Sequence, residues 1–180
     1  MKRYIVLTLM LLTLHAGTLL AQSAQPREKS EVEVYMQQVA KGAKSDEIDY
    51  AYISTSMFKQ LLSQLLSIVN EESKSAMGLD QIFGSAMYMR RFISTGEEGY
   101  RMLSLMMRPF MVGEEEECMG MELCALNRQD GVVSIIYGNA QNVLVINDNA
   151  ECDNLTVVFM AGMSYEAFME LDGSGIDLGF

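Results

Sequence analysis

Sulfur is the element through which this chain could do unusual chemistry. It carries sixteen methionines and three cysteines beside a single histidine and no tryptophan. Cys118, Met119 and Met121 crowd one short stretch, and Met87 with Met89 and Met160 with Met163 form further close thioether pairs. Thioether and thiolate sulfur are soft ligands that suit Cu(I), so Cys118, Met119 and Met121 are the candidate ligands of a soft-metal site. The same spacing has a plainer meaning. Met87 and Met89 would share one strand face, as would Met119 and Met121, and methionine fills irregular cores readily. The sequence calls for no cofactor.

The other constellations are weaker. Ser56-Met57-Phe58-Lys59 matches an S-x-x-K element, whose serine opens a helix in β-lactam-recognising enzymes, but the partner Lys-Thr-Gly triplet does not occur. The motif therefore reads as a helix start followed by a solvated lysine. Asn147, Asp148, Asn149, Glu151 and Asp153 crowd one loop, and Asp172 to Asp177 has part of a calcium loop. Neither has the full spacing with a distal glutamate, so both read as acidic turns. His15, the only histidine, lies in the apolar N-terminal stretch. No defensible carboxylate pair, Gly-rich phosphate loop, CxxC or Ser/His/Asp set follows it. The sequence thus reads against an enzyme, and a hydrolase built on carboxylates or Ser56 ranks third among the functions it allows.

Charge removes two more classes. The net charge is −11, and beyond Arg128 there is no lysine or arginine. Asp130, Asp148, Glu151, Asp153, Glu166, Glu170, Asp172 and Asp177 follow instead. Together with Glu114–Glu117 they would repel phosphate, which argues against nucleic-acid binding and against docking on anionic lipid. The arginines that could pair, Arg90, Arg91, Arg101 and Arg108, concentrate mid-chain.

The N-terminus reads as an export signal over residues 1–21. Met1-Lys2-Arg3 precedes an apolar run from Tyr4 to Leu14, and Ala16 to Ala21 ends on a small residue. Cleavage is expected after Ala21, with Ala24 as the alternative. The apolar run is shorter than the roughly 20 residues of a spanning helix, and no later run is long enough. With no cysteine near the cut to carry lipid, the expected location is the periplasm or outside the cell. Export permits a disulfide, but the odd cysteine count leaves at least one thiol over. On one straight strand Cys118 and Cys124 would face the same side about 20 Å apart, so they could not bond each other. Either could meet Cys152, or all three could be small half-buried hydrophobes.

These residues need elements to hold them. After a flexible leader, residues 22–28, a helix is expected over 29–41, where Val32, Tyr35, Met36 and Val39 form one face and Gly42 the C-terminal cap. A strand at 50–53 leads to a helix over 55–70, with the apolar stripe Met57, Phe58, Leu61, Leu62, Leu65, Leu66 and Val69. A second strand at 82–93 precedes a helix that a Thr95–Glu98 capping box opens and Pro109 stops. A β-meander follows. Its first strand holds Met119, Met121, Leu123 and Ala125; Asp130-Gly131 then turns into Val132–Tyr137, and Gly138-Asn139 into Val143–Ile146. A polar loop leads to Leu155–Ala161, a short helix from Ser164 to Leu171, and a loose tail, 173–180. The order implies one α+β domain over 29–172, with helices packed on one face of a mostly antiparallel sheet: β-α-β-α, then the meander and the short C-terminal helix. Several strands are apolar on both parities, so the second sheet face also needs a cover, from the N-terminal helix or another chain.

The order of segments resembles a known family. Tyr52-Ile53-Ser54-Thr55-Ser56-Met57-Phe58, then Ile93-Ser94-Thr95, then the late strands ending in 163–171 resemble exported bacterial envelope proteins catalogued as the domain of unknown function 4252 family. The resemblance spans residues 30 to 172 and implies a signal peptide and a place in the Gram-negative envelope. It carries no catalytic residue. The function expected is a non-catalytic binding or interaction domain, with an envelope protein or a second copy as partner. The alternative is a small-ligand or Cu(I) binder using methionine and cysteine.

Overall fold

The computed structural model describes residues 28–57, 60, 88–111 and 116–173. The expected signal and nearly all of the leader, most of the 55–70 helix, the first part of the 82–93 strand and the residues after 173 lie outside them. The described chain is an α+β domain on a seven-stranded antiparallel sheet. In chain order its elements are α1 (Glu31–Gly42), β1 (Ile48–Ser54), β2 (Tyr88–Ser94), α2 (Gly96–Met111), β3 (Glu117–Cys118), β4 (Met121–Gln129), β5 (Val132–Gly138), β6 (Asn142–Asn149), β7 (Asn154–Ala161) and α3 (Tyr165–Gly173). The strand order is β1-β2-β7-β6-β5-β4-β3, so β7 returns between the early hairpin and the meander.

Strand alternation sorts the core. Leu155, Val157, Phe159 and Ala161 of β7 join Leu144 and Ile146 of β6, Ile135 and Tyr137 of β5 and Phe92 of β2 on one face. Val32, Met36 and Val39 of α1 and Leu103, Met107 and Phe110 of α2 pack into the same cluster. The expected apolar stripes therefore meet the sheet. The opposite parity, Val143, Val145, Val158 and Met160, is buried as well. Its cover includes α3, not α1: Tyr165 packs over Gly138, and Met163 and Phe168 are buried. The N-terminal helix thus lies on the same side as α2, and the short C-terminal helix serves the second face.

Local chemistry explains where the elements begin and end. Ser30 caps α1 in a reciprocal capping box with Glu33. The box expected at Thr95–Glu98 does not form. The Thr95 hydroxyl donates to the Asp46 carbonyl and the Glu98 carboxylate binds Arg101, at 2.6 Å to Nη2. Pro109 does not stop α2, which runs on to Met111. The helix tolerates the amide that Pro109 lacks and the crowding of its ring against the Leu105 carbonyl. Asp130-Gly131 makes the expected hairpin turn, both residues at positive φ. A second turn of that kind, Met119-Gly120, takes the first two positions of the strand expected over 119–125, so that β4 begins at Met121 and pairs back on β3. The Asn139 side chain orders the β5–β6 turn, accepting from the Gln141 and Asn142 amides.

Candidate functional site

The sulfur residues are placed as a core is placed. Cys118 and Met121 are register partners across β3 and β4, both buried on the helix side, where the Cys118 thiol donates to the Pro109 carbonyl. Met119 sits half-buried in the turn between them. All three pack in or against the main cluster. Cys124 ends on the other face, because the turn at Met119-Gly120 puts Cys118 and Met121 on one side and strand alternation from Met121 then turns Cys124 to the other. Its thiol lies over Gly138, and burial, then the Glu122 charge, push its pKa up. Cys152 is exposed in the β6–β7 loop, and all three cysteines are free thiols. Asp148 and Asp153 of the acidic loop are engaged at home: Tyr100 donates to Asp148 and Ser94 to the Asp153 carbonyl. Ser56 is exposed, its hydroxyl 2.9 Å from that of Ser54, while Lys59 lies outside the described residues.

A different group stands out at the outer end of the sheet. β1 and β2 pair in unbroken register, so Arg90 faces Tyr52 across the ladder and Phe159 of β7 on its other side. Alternation puts Tyr50, Tyr52, Tyr88 and Arg90 on the helix-side face. The Arg90 guanidinium lies 5.1 Å from the Tyr52 ring centre and 5.2 Å from that of Tyr88, and Nη1 donates to the Tyr50 hydroxyl. Tyr50 stacks on Phe92 and Tyr88 tilts against Phe159, which anchors the two inner rings to the core. Such cation–π contacts contribute about 0.5–2 kcal/mol each.

The charge balance of this group is unusual. Among the described residues no carboxylate makes an ion pair with Arg90, although the chain carries a net charge of −11. Its Nε is buried with no acceptor. A buried donor left unmade costs about 1–3 kcal/mol. Among the described residues, Tyr88 links Arg90 to Glu33, its hydroxyl donating to the carboxylate at 3.4 Å. That carboxylate is itself buried and holds the backbone and side chain of Ser30. Burial first, and then the Glu33 charge, push the Tyr88 pKa up to about 12, with Arg90 acting the other way. The tyrosine therefore stays a neutral donor.

No family model, curated protein or solved structure matches the chain. The site must be judged on its own geometry. It has donors and aromatic faces but, among the described residues, no nucleophile set against a base. Sequence reasoning placed Arg90 only among the arginines that could pair. The missing signal was the β1–β2 register, which brings the arginine and three tyrosines onto one face from separate stretches of sequence.

The edge beside this group is equally distinctive. β1 is the outermost strand, seven residues long, with no bulge, lysine or proline. Its one charge, Asp49, pairs with Arg91 on the face away from α1 and α2. Tyr52 on its helix-side face is 48% exposed. The opposite edge differs. There β3 is only two residues long, and the rest of β4 carries the bulge and exposed Asn127, Arg128 and Gln129. Short strands, bulges and charges are the usual means of blocking strand addition; among the described residues β1 is neither short nor bulged, and its one charge, Asp49, is paired with Arg91.

Proposed function

We propose that this chain is a non-catalytic binding domain of the bacterial envelope that receives an extended segment of a protein partner along the edge of β1. The observation that carries the reading is a seven-residue edge strand that, among the described residues, has no bulge, lysine or proline, opposite an edge that is short and bulged. Strand addition draws affinity from main-chain hydrogen bonds and specificity from side chains flanking the edge. The described chain suits such a scaffold, since helices pack against the sheet from both sides and leave β1 outermost. Placement in the envelope rests on the N-terminal signal pattern and the family resemblance. No helix among the described residues is long and apolar enough to cross a membrane.

The test is to guard the edge. Ile53→Lys adds the charge that natural edge strands use, on a half-buried side chain facing away from α1 and α2. Wild-type protein immobilised in envelope extract is expected to retain a partner that the variant loses, while circular dichroism and the melting curve show the variant folded. Equal retention by the two proteins would contradict strand addition at β1.

A further inference from the structure

We infer that Arg90 reads a carboxylate on the bound segment: the partner carries an aspartate or glutamate at the strand position facing Tyr52. The inference rests on the β1-edge reading and names the partner's chemistry.

Three observations carry it. The guanidinium leans toward the outermost strand, since it lies over the Tyr52 ring and not inward over Phe159. A strand added to β1 would run two strand spacings, about 10 Å, from the β2 backbone. An arginine already lying over β1 and a glutamate reaching back can close that gap. The guanidinium also makes no ion pair with a carboxylate among the described residues. Finally, the surroundings fix the donor in place. Tyr50 accepts from Nη1, while Tyr52 and Tyr88 lie against the guanidinium. A held, planar fork matches a carboxylate in a way a lysine does not. The net charge of −11 opposes an acidic partner at long range, so the contact would act in specificity and not in steering.

The experiment uses the full chain after signal removal and a short capped, threonine-rich extended peptide with one central glutamate. The matched peptide has glutamine there, and free glutarate is the third probe. Binding is followed by calorimetry and by the Arg90 Nε–H resonance, assigned by its loss in Arg90→Lys. The glutamate peptide is expected to bind at least about tenfold more tightly than the glutamine peptide and to shift that resonance. The preference should vanish in Arg90→Lys and weaken in Tyr52→Ala, an exposed position that serves if the arginine variant misfolds. Equal binding of the two peptides would overturn the inference and leave the edge reading standing. Binding of neither would overturn both. Glutarate binding as tightly as the glutamate peptide would overturn the strand-borne carboxylate in favour of a small acid.

Discussion

Tyr35, Tyr88 and Tyr100 each donate a hydroxyl to a fixed acceptor: the Met106 carbonyl, Glu33 and Asp148. Burial is the first cause of the raised pKa in all three, and Tyr88 reaches about 12. The folded chain therefore keeps protons that an unfolded tyrosine releases near pH 10.0. Their contribution to stability is complete below that pH and is lost as pH rises toward 12. Urea midpoints should fall across that window, and the fall should be smaller in Tyr88→Phe; a flat alkaline profile would contradict the assignment. Cysteine gives a second residue-scale prediction. Under native, non-reducing conditions Cys152 should react rapidly with a maleimide, Cys124 slowly and buried Cys118 only on unfolding. A rapid count of none would point to a disulfide. The sequence displayed the sulfur residues but not their faces, since the Met119-Gly120 turn decides that Cys118 and Cys124 take opposite sides. Arg90 was visible as a charge and invisible as a site.

At the scale of elements, two glycines mark where packing tolerates nothing larger. A β-carbon on Gly99 would sit 2.0 Å from the Glu47 carbonyl oxygen, and one on Gly138 would sit 2.7 Å from the Tyr165 β-carbon. Gly99→Ala and Gly138→Ala should each destabilise by about 1–3 kcal/mol or more, because backbone or a packed ring must move. Gly42→Ala meets only the mobile end of Met106, and at that position the helix gains propensity. Chemical denaturation should rank Gly42→Ala well above the other two, and comparable losses at all three would contradict this packing. Apolar periodicity was enough to find α1, α2 and α3, and Asp130-Gly131 to find the β4–β5 hairpin. The Met119-Gly120 turn was hidden because methionine is not a turn-forming residue. The Thr95–Glu98 box is lost because those side chains take other partners in Asp46 and Arg101, and the box that does form, Ser30–Glu33, caps α1.

For the molecule as a whole, alternation and element order were sufficient to read an α+β domain with an antiparallel sheet. Strand order was not legible, because the insertion of β7 between β2 and β6 depends on pairing across the chain. That insertion makes β1 an edge and gives Arg90 its place one strand inside it. The apolar second parity of β6 and β7 was readable, and part of its cover is the chain's own C-terminal helix. Among the described residues, no strand pairs with the outer edge of β1. The most direct measurement is photo-crosslinking from a benzophenone side chain placed at Tyr52, with Leu105 on α2, 69% exposed, as the control position. Expressed as the full chain and analysed in the envelope fraction, the protein should form a discrete crosslinked species from position 52 and none from 105. Equal crosslinking from both positions, or none from position 52, would contradict docking at β1.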